Sequence, residues 1–300
     1  MKIGIVIVTY NRLRLLKRCV NNALMQGNND VEIFVVDNAS TDGTSDYLKK
    51  IESTYTNFEF ITMKTNLGGA GGFSMGLQLA YYRSDCDLFL LIDDDAILRE
   101  NFVTEVNKCI SSKYQAYSCS VLVNGKIDTS HRVSKKIGKI PDNMYKDNFE
   151  CDIATFCGMM VTRDLVKKVG FPRGDFFIWN DDTEYSYRVS KYSKILNITN
   201  AIIDHETIIL SQDNFLHYDS WKEYYGMRNI IYIYKEYNEK QAEIMKIFRC
   251  IGKAILLQIK SYSDPKNAKI YRYNSRLRID AVKDGIRGKL GKNEQYLPGK

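Results

Sequence analysis

The chain has no cysteines at CxxC spacing: its seven, at 19, 86, 109, 119, 151, 157 and 250, are scattered and odd in number. That excludes a paired-thiol zinc framework and a disulfide scaffold, and it fits reduced thiols in a cytoplasmic protein. Secretion is not expected, since Met1-Lys2-Ile3-Gly4-Ile5 runs straight into a strand pattern without a signal-peptide cleavage region. The longest apolar stretch toward the C-terminus, Ala254-Ile255-Leu256-Leu257, is far too short to span a membrane. No glycine fingerprint follows the first strand pattern; Thr9-Tyr10-Asn11-Arg12 stands there, which argues against a dinucleotide-dependent oxidoreductase. Histidine is scarce, with His131, His205 and His217 the whole supply.

Charge is present but unevenly spread. Lys246 to Lys300 hold 14 Lys and Arg against 4 Asp and Glu, a net of +10, while the whole chain is +7, so residues 1–245 carry −3. Ile270, Leu277, Ile279 and Val282 recur with a partly helical period in this basic segment. Amphipathic helices on an anionic membrane surface are the first reading and a solvated helical face the second. Nucleic acid is not expected as a partner, because no recognised binding motif accompanies the charge.

Short apolar runs alternate with helical patterns from the start. Residues 3–8 and 31–36 read as buried strands, a third strand lies near 59–63, and Leu88-Phe89-Leu90-Leu91-Ile92 is a fourth. Strands alternating with helices predict an α/β protein with a mainly parallel sheet and helices on both faces. Ligands of such sheets bind beyond the carboxyl ends of the strands. Thr9, Asp37, Asn66 and Asp93 all fall at or just after strand ends, so four loops are expected to meet at one crevice. Residues 1–230 are read as one domain and 231–300 as a basic helical segment.

The fourth strand runs into Asp93-Asp94-Asp95. Adjacent carboxylates repel, so keeping them ionised requires a neutralising partner, and a hard divalent cation is a natural one. With strand geometry continuing through the triplet, Asp93 and Asp95 share a face and chelate one ion while Asp94 points away. A solvated acidic turn or a helix cap is the competing reading. Gly68-Gly69-Ala70-Gly71-Gly72 lets backbone approach a ligand and expose N–H donors, or else is a flexible turn before a helix.

A second acidic cluster is Asp181-Asp182-Thr183-Glu184-Tyr185. Asp181 and Glu184 are spaced as a capping pair, which leaves Asp182 in the first helical turn, where the helix dipole favours its ionised form. An ionised Asp in a cleft can serve as general base toward a sugar hydroxyl. Trp179 offers a flat face for a sugar ring or a core contact, and Arg188 is placed for an i,i+4 ion pair with Glu184. His205, after the strand-like Ala201-Ile202-Ile203, could complete a metal site with Asp93 and Asp95, or be a hydrogen-bonded structural residue; His217 competes with it.

The segments Val8–Arg12, Asp37–Gly43, Asn66–Gly72, Asp93–Asp95 and Trp179–Tyr185 follow one another as in family 2 inverting glycosyltransferases of GT-A fold. The glycine run, the Asp triplet and Asp-Asp-x-Glu-Tyr most resemble the galactofuranosyltransferase branch, with rhamnosyltransferases close by. The resemblance spans roughly residues 3–230. It implies uridine contacts from Thr9, Tyr10, Asn11, Arg12, Asp37 and Asn38, and donor contacts from Asn66, Gly68, Gly69 and Asp94. It further implies Mn²⁺ or Mg²⁺ on Asp93, Asp95 and His205, and Asp182 as catalytic base. Gly158, Trp179 and Asp181 would shape the sugar and acceptor pocket. The expected reaction moves galactofuranose from UDP-galactofuranose to a glycan or lipid-linked acceptor, by an enzyme peripheral to the inner face of the cell membrane. A dTDP-rhamnose-dependent transferase and a non-catalytic nucleotide- or glycan-binding partner of a membrane assembly are the alternatives.

Overall fold

Strand β1, Ile3–Thr9, is buried along its whole length, as expected for a parallel strand covered on both faces. In the computed structural model, which describes residues 1–27, 30–206 and 220–297, it lies between β2 (Val31–Asp37) and β4 (Leu88–Asp93), parallel to both, with β3 (Phe58–Thr62) outside β2. Helices α1 (Leu13–Leu24), α2 (Thr44–Glu52) and α3 (Gly68–Arg83) connect these strands. Alternate residues of each strand enter opposite cores. Ile5, Ile7, Ile33, Val35, Leu90 and Ile92 pack with Leu16, Val20 and Ala23 of α1. Val6, Val8, Phe34, Val36 and Leu91 pack with Phe73, Leu77 and Ala80 of α3.

Beyond β4 come β5 (Ala96–Leu98), α4 (Phe102–Cys109), β6 (Ala116–Val123), β7 (Lys126–Ile127), β8 (Arg132–Ser134), β9 (Gly138–Lys139), β10 (Phe149–Cys151) and β11 (Ile153–Ala154). After these follow β12 (Met159–Thr162), α5 (Arg163–Val169), α6 (Asp181–Val189) and β13 (Ile195–His205). The large sheet has the order β10-β13-β6-β12-β4-β1-β2-β3, with β5 on β13 and β7 on β6. Strand β12 enters antiparallel between β4 and β6, whereas β6 and β13 run parallel. The α/β class expected from the sequence is the class observed. The apolar run from Ala154 to Met160 does not form one strand, because Gly158 takes φ +94° and β12 starts only at Met159.

Two compact units emerge, one built from Met1–Gly174 with the segment from Asp182, the other from Asp175–Asp181 with the C-terminal helices. Those helices are α7 (Trp221–Glu236), α8 (Lys240–Ser263) and α9 (Ala268–Arg287). The helical unit therefore takes in α7, which lies mostly before residue 231. Its core is aromatic, with Phe177, Tyr224, Tyr225 and Tyr296 around Ile231, Leu277 and Ala281. Arg228 is fully buried and donates to the carbonyls of Phe176 and Gly291, while Asn229 donates to Phe176, Ile178 and Trp179. Among the described residues, no helix is long and apolar enough to cross a membrane.

The glycine run is not a loop. Helix α3 begins at Gly68, and the inward glycines let it lie close on β1. A Cβ at Gly72 would overlap Val8, and one at Gly76 would stand 2.5 Å from Val6 Cγ1 and 3.1 Å from Val36 Cγ2. Valine is stiff about χ1 and cannot turn away from such a contact. Helix propensity alone would favour alanine at Gly76 by about 1 kcal/mol. The packing reverses that sign. Gly76→Ala is expected to cost about 1–3 kcal/mol of stability, read as a lower urea midpoint at unchanged slope; a raised midpoint would contradict this packing.

Candidate active site

Asp93 is the last residue of β4, and the chain turns at once through Asp94 and Asp95 into β5. The strand geometry therefore does not continue through the triplet, and the expected alternation of Asp93 and Asp95 on one face is not what forms. Asp94 and Asp95 are buried instead, turned toward the end of β1. Thr9 Oγ1 donates to Asp94 Oδ2 at 2.7 Å. Arg12 lies across both carboxylates, Nη1 at 2.8 Å from Asp94 Oδ1 and Nη2 at 2.6 Å from Asp95 Oδ2. The Arg12 guanidinium is thus engaged by acid.

His205 reaches the cluster through sheet register. Its strand β13 pairs antiparallel with β5, so His205 stands opposite Ala96, one residue past Asp95. His205 Nε2 is 3.1 Å from Asp95 Oδ1, and Glu206 N donates to the Asp95 carbonyl at 2.9 Å. The imidazole Nδ1 is buried and makes no hydrogen bond among the described residues. Cys157 comes from the opposite direction. The pairing of Met159 with Leu91 carries residue 157 to the end of β4, and one ligand atom each from Asp93, Cys157 and His205 lie within 4.8 Å of one another.

Burial sets the ionisation of these groups. It pushes Asp93 up to about 6, helped by the charge of Asp95, and Asp94 up to about 7 against the pull of Arg12 and Thr9. Asp95 is the exception: although burial opposes ionisation, the hydrogen bond and charge of His205, with Arg12, hold it at about 2. Burial works against His205 as well, yet Asp95 and Asp93 raise it above the usual imidazole value. The Cys157 thiol is driven far up by desolvation and by the charge of Asp93.

Asp182 lies in the first turn of α6, where its Oδ1 accepts from Thr183 N at 2.6 Å and Thr183 Oγ1 at 3.2 Å. The helix start was expected to favour ionisation. Burial outweighs it and raises the carboxyl, with the Thr183 bonds and the charge of Arg132 opposing. The charge of Asp182 in turn helps raise Asp93, which sets the two carboxylates within electrostatic reach. The Glu184–Arg188 pair forms as expected, at 2.8 Å.

The other loops tie to one another. Asn38 Nδ2 donates to Gly68 O at 2.9 Å and its Oδ1 accepts from Leu67 N, while Asn66 Oδ1 accepts from Gly68 N at 2.7 Å. Asn11 receives Thr41 N on Oδ1, Asn11 N donates to Ser40 Oγ, and buried Asp37 accepts from Ser40 N. Tyr10 is exposed, and a Cβ at Gly69 would meet open space. At Gly158 a Cβ would overlap Cys119 Sγ, so its backbone is close-packed. Trp179 and Asp181 belong to the helical unit: Trp179 is 42% exposed with φ +65° and rests on Gly226, and Asp181 is buried at the start of α6. His217 lies outside the described residues.

Three contributors had no assigned role in the sequence. Cys157 stood only among the reduced thiols, and all seven cysteines are indeed free. Arg132 is fully buried, donating to His131 O at 2.7 Å, Cys157 O at 3.1 Å and Asn197 Oδ1 at 3.2 Å. His131 packs edge-on to His205 with ring centres 5.6 Å apart, and burial and Arg132 push it down to about 3, so it stays neutral. An arginine at an inward strand position was the one available signal, and β8 is too short for its alternation to be read.

The shifts fix a pH dependence for the metal-free protein. Asp93 titrates near 3.9 when unfolded and near 6 when folded. The folded state therefore binds more protons between those values, and stability is lost as pH rises through them. Asp94 acts with the same sign up to about 7, while Asp95 stays ionised throughout. In chelator, wild type is expected to lose more stability than Asp93→Asn between about pH 4.5 and about pH 7.5. Parallel melting-temperature curves would contradict the shift.

Residues 4–170 match the family model described as Glycosyl transferase family 2. An uncharacterized glycosyltransferase of Rickettsia typhi is 22% identical over 223 residues, covering 70% of this chain and 63% of its own, less than two thirds of that relative. The solved structure of S. aureus TarS 1-349 in complex with UDP-GlcNAc matches with TM-score 0.58 and 15% identity, over 96% of this chain and 91% of that one. Mannosyltransferase PcManGT from Pyrobaculum calidifontis, in complex with GDP-Man and Mn2+, matches with TM-score 0.58 and 13% identity, over 96% and 88%. At such identities the shared property is the GT-A fold. The family model covers more than half of the sequence, and the chain belongs to glycosyl transferase family 2.

Proposed function

We propose that the chain transfers a sugar from a nucleotide donor to a glycan or lipid-linked acceptor with inversion, and that the donor is UDP-galactofuranose. The observation that carries the reading is the strand-end cluster: Asp93, Cys157 and His205 within 4.8 Å, with the charge of Asp182 felt at Asp93. The choice of sugar rests on the sequence resemblance. A cytoplasmic enzyme of cell-envelope polysaccharide synthesis fits the free thiols.

The donor set suits a divalent cation. Asp93 is held up by burial and by the charge of Asp95, a cost that a cation would relieve, and His205 keeps a buried Nδ1 without a partner among the described residues. Carboxylate with imidazole is a set that Mn²⁺ accepts. Cys157 is in reach but stays a thiol at neutral pH because burial opposes its ionisation. We assign Asp93, Asp95 and His205 as the groups that would hold Mn²⁺ or Mg²⁺. Such an ion supplies Lewis-acid stabilisation of the departing diphosphate. The complexes of PcManGT with GDP-Man and Mn2+ and of TarS with UDP-GlcNAc lend support.

Asp182 takes the proton of the acceptor hydroxyl as that oxygen attacks the anomeric carbon. The bond from this carbon to the diphosphate breaks on the opposite face, so one displacement inverts the centre. A carboxyl whose proton affinity burial raises suits a general base, and Thr183 fixes its orientation through Oδ1, which leaves Oδ2 for the acceptor. Arg12 and Thr9 hold Asp94 at the base of the loop that would face the nucleotide.

The test is turnover of UDP-galactofuranose and dTDP-rhamnose with Mn²⁺, wild type against Asp182→Asn. Wild type should release UDP, and the variant should be slower by about 10²–10⁴-fold with UDP affinity retained. A wild-type rate in the variant would remove Asp182 as base. Turnover of dTDP-rhamnose alone would move the donor to rhamnose.

A further inference from the structure

Helix α8 is built inside out. A surface helix ordinarily turns its large apolar residues inward, but α8 buries only Cys250, Ala254 and Ser261. Ile247 packs on the core of the helical unit, but most of the large apolar side chains face solvent: Ile244, Phe248, Ile251, Ile255, Ile259 and Tyr262 are all exposed, Phe248 at 71% and Tyr262 at 72%. Their spacing of three and four residues draws one row along the helix, over about five turns at 3.6 residues per turn. Exposed Met245 and Leu256 widen the apolar face beyond that row, and Lys246, Arg249, Lys253 and Lys260 follow along its far margin. Between Ile244 and Ser263 there is no Asp or Glu.

We infer that this face of α8 docks on an anionic lipid surface, with the apolar row in the headgroup and acyl boundary and the basic edge at the phosphates. Such a helix lies in the interface and does not span, in keeping with the absence of a membrane-crossing helix among the described residues. Charge decides between lipid and a second copy of the chain. A second copy of α8 would bring only more positive charge, since its basic residues have no acid between Ile244 and Ser263 to offset them, whereas an anionic surface complements them. Long Lys and Arg side chains reach from the apolar boundary to the phosphates. The inference does not depend on the donor or on the catalytic residues.

The test is sedimentation of the full chain with phosphatidylcholine vesicles, with and without phosphatidylglycerol. Binding should require the anionic lipid and weaken at least about tenfold between about 0.05 M and about 0.5 M salt, as screening shortens. The double variant Phe248→Ser, Ile255→Ser, altered only at exposed positions, should lose binding at least about tenfold. Its melting temperature and UDP-dependent stabilisation should stay at wild-type values, which keeps this outcome separate from any failure of the proposed activity. Equal binding to neutral and anionic vesicles would overturn the inference, as would undiminished binding by the variant. A wild-type dimer that the variant dissolves, without vesicle binding, would assign the row to self-association instead.

Discussion

Arg12 bridges Asp94 and Asp95, and the strand-end crevice depends on that contact. Three adjacent carboxylates at the end of a buried strand cannot all be ionised without compensation. The guanidinium compensates two of them and ties the start of α1 to the turn after β4. His205 adds a second hydrogen-bond partner at Asp95. Burial and the charge of Asp95 push Asp93, beside Cys157 and His205, up to about 6, and burial takes Asp94 to about 7 even against Arg12. The proposed cation would sit beside the Asp93 carboxylate and the His205 imidazole.

The rest of the fold serves that placement. Close contact of α3 with β1 through Gly72 and Gly76 brings the Asn66–Gly68 turn to Asn38. Antiparallel insertion of β12 brings Cys157, and the pairing of β5 with β13 brings His205. Residues from positions 9 to 205 meet because five strand ends share one edge of the sheet, where an α/β protein can place loops without disturbing its core.

Much of this was legible in the sequence, for physical reasons that also mark its limit. The apolar runs of β1, β2 and β4 are buried on both faces and so read plainly as strands. Their ends at Thr9, Asp37 and Asp93 follow directly. The Glu184–Arg188 pair was readable because it is local. The turn at Asp94 was not, since it depends on Arg12, 82 residues away. Cys157 and Arg132 were missed because long-range register alone brings them near Asp93 and Asp182. The glycine run reads either as backbone for a ligand or as a turn before a helix, and nothing in its own composition reveals that Val8 of β1 lies beneath Gly72. Exposure of the large apolar residues of α8 was equally invisible, because periodicity marks a stripe without saying which side faces solvent.

The central claim is that the cluster at the end of β4 is a cation-dependent nucleotide site. Calorimetric titration of UDP into wild type and Asp95→Ala, each with Mn²⁺ and with chelator, tests it most directly. The account predicts that Mn²⁺ strengthens UDP binding to wild type and has little effect on the variant. Metal-dependent affinity that survives unchanged in Asp95→Ala, or UDP binding by wild type that ignores the metal, would contradict it.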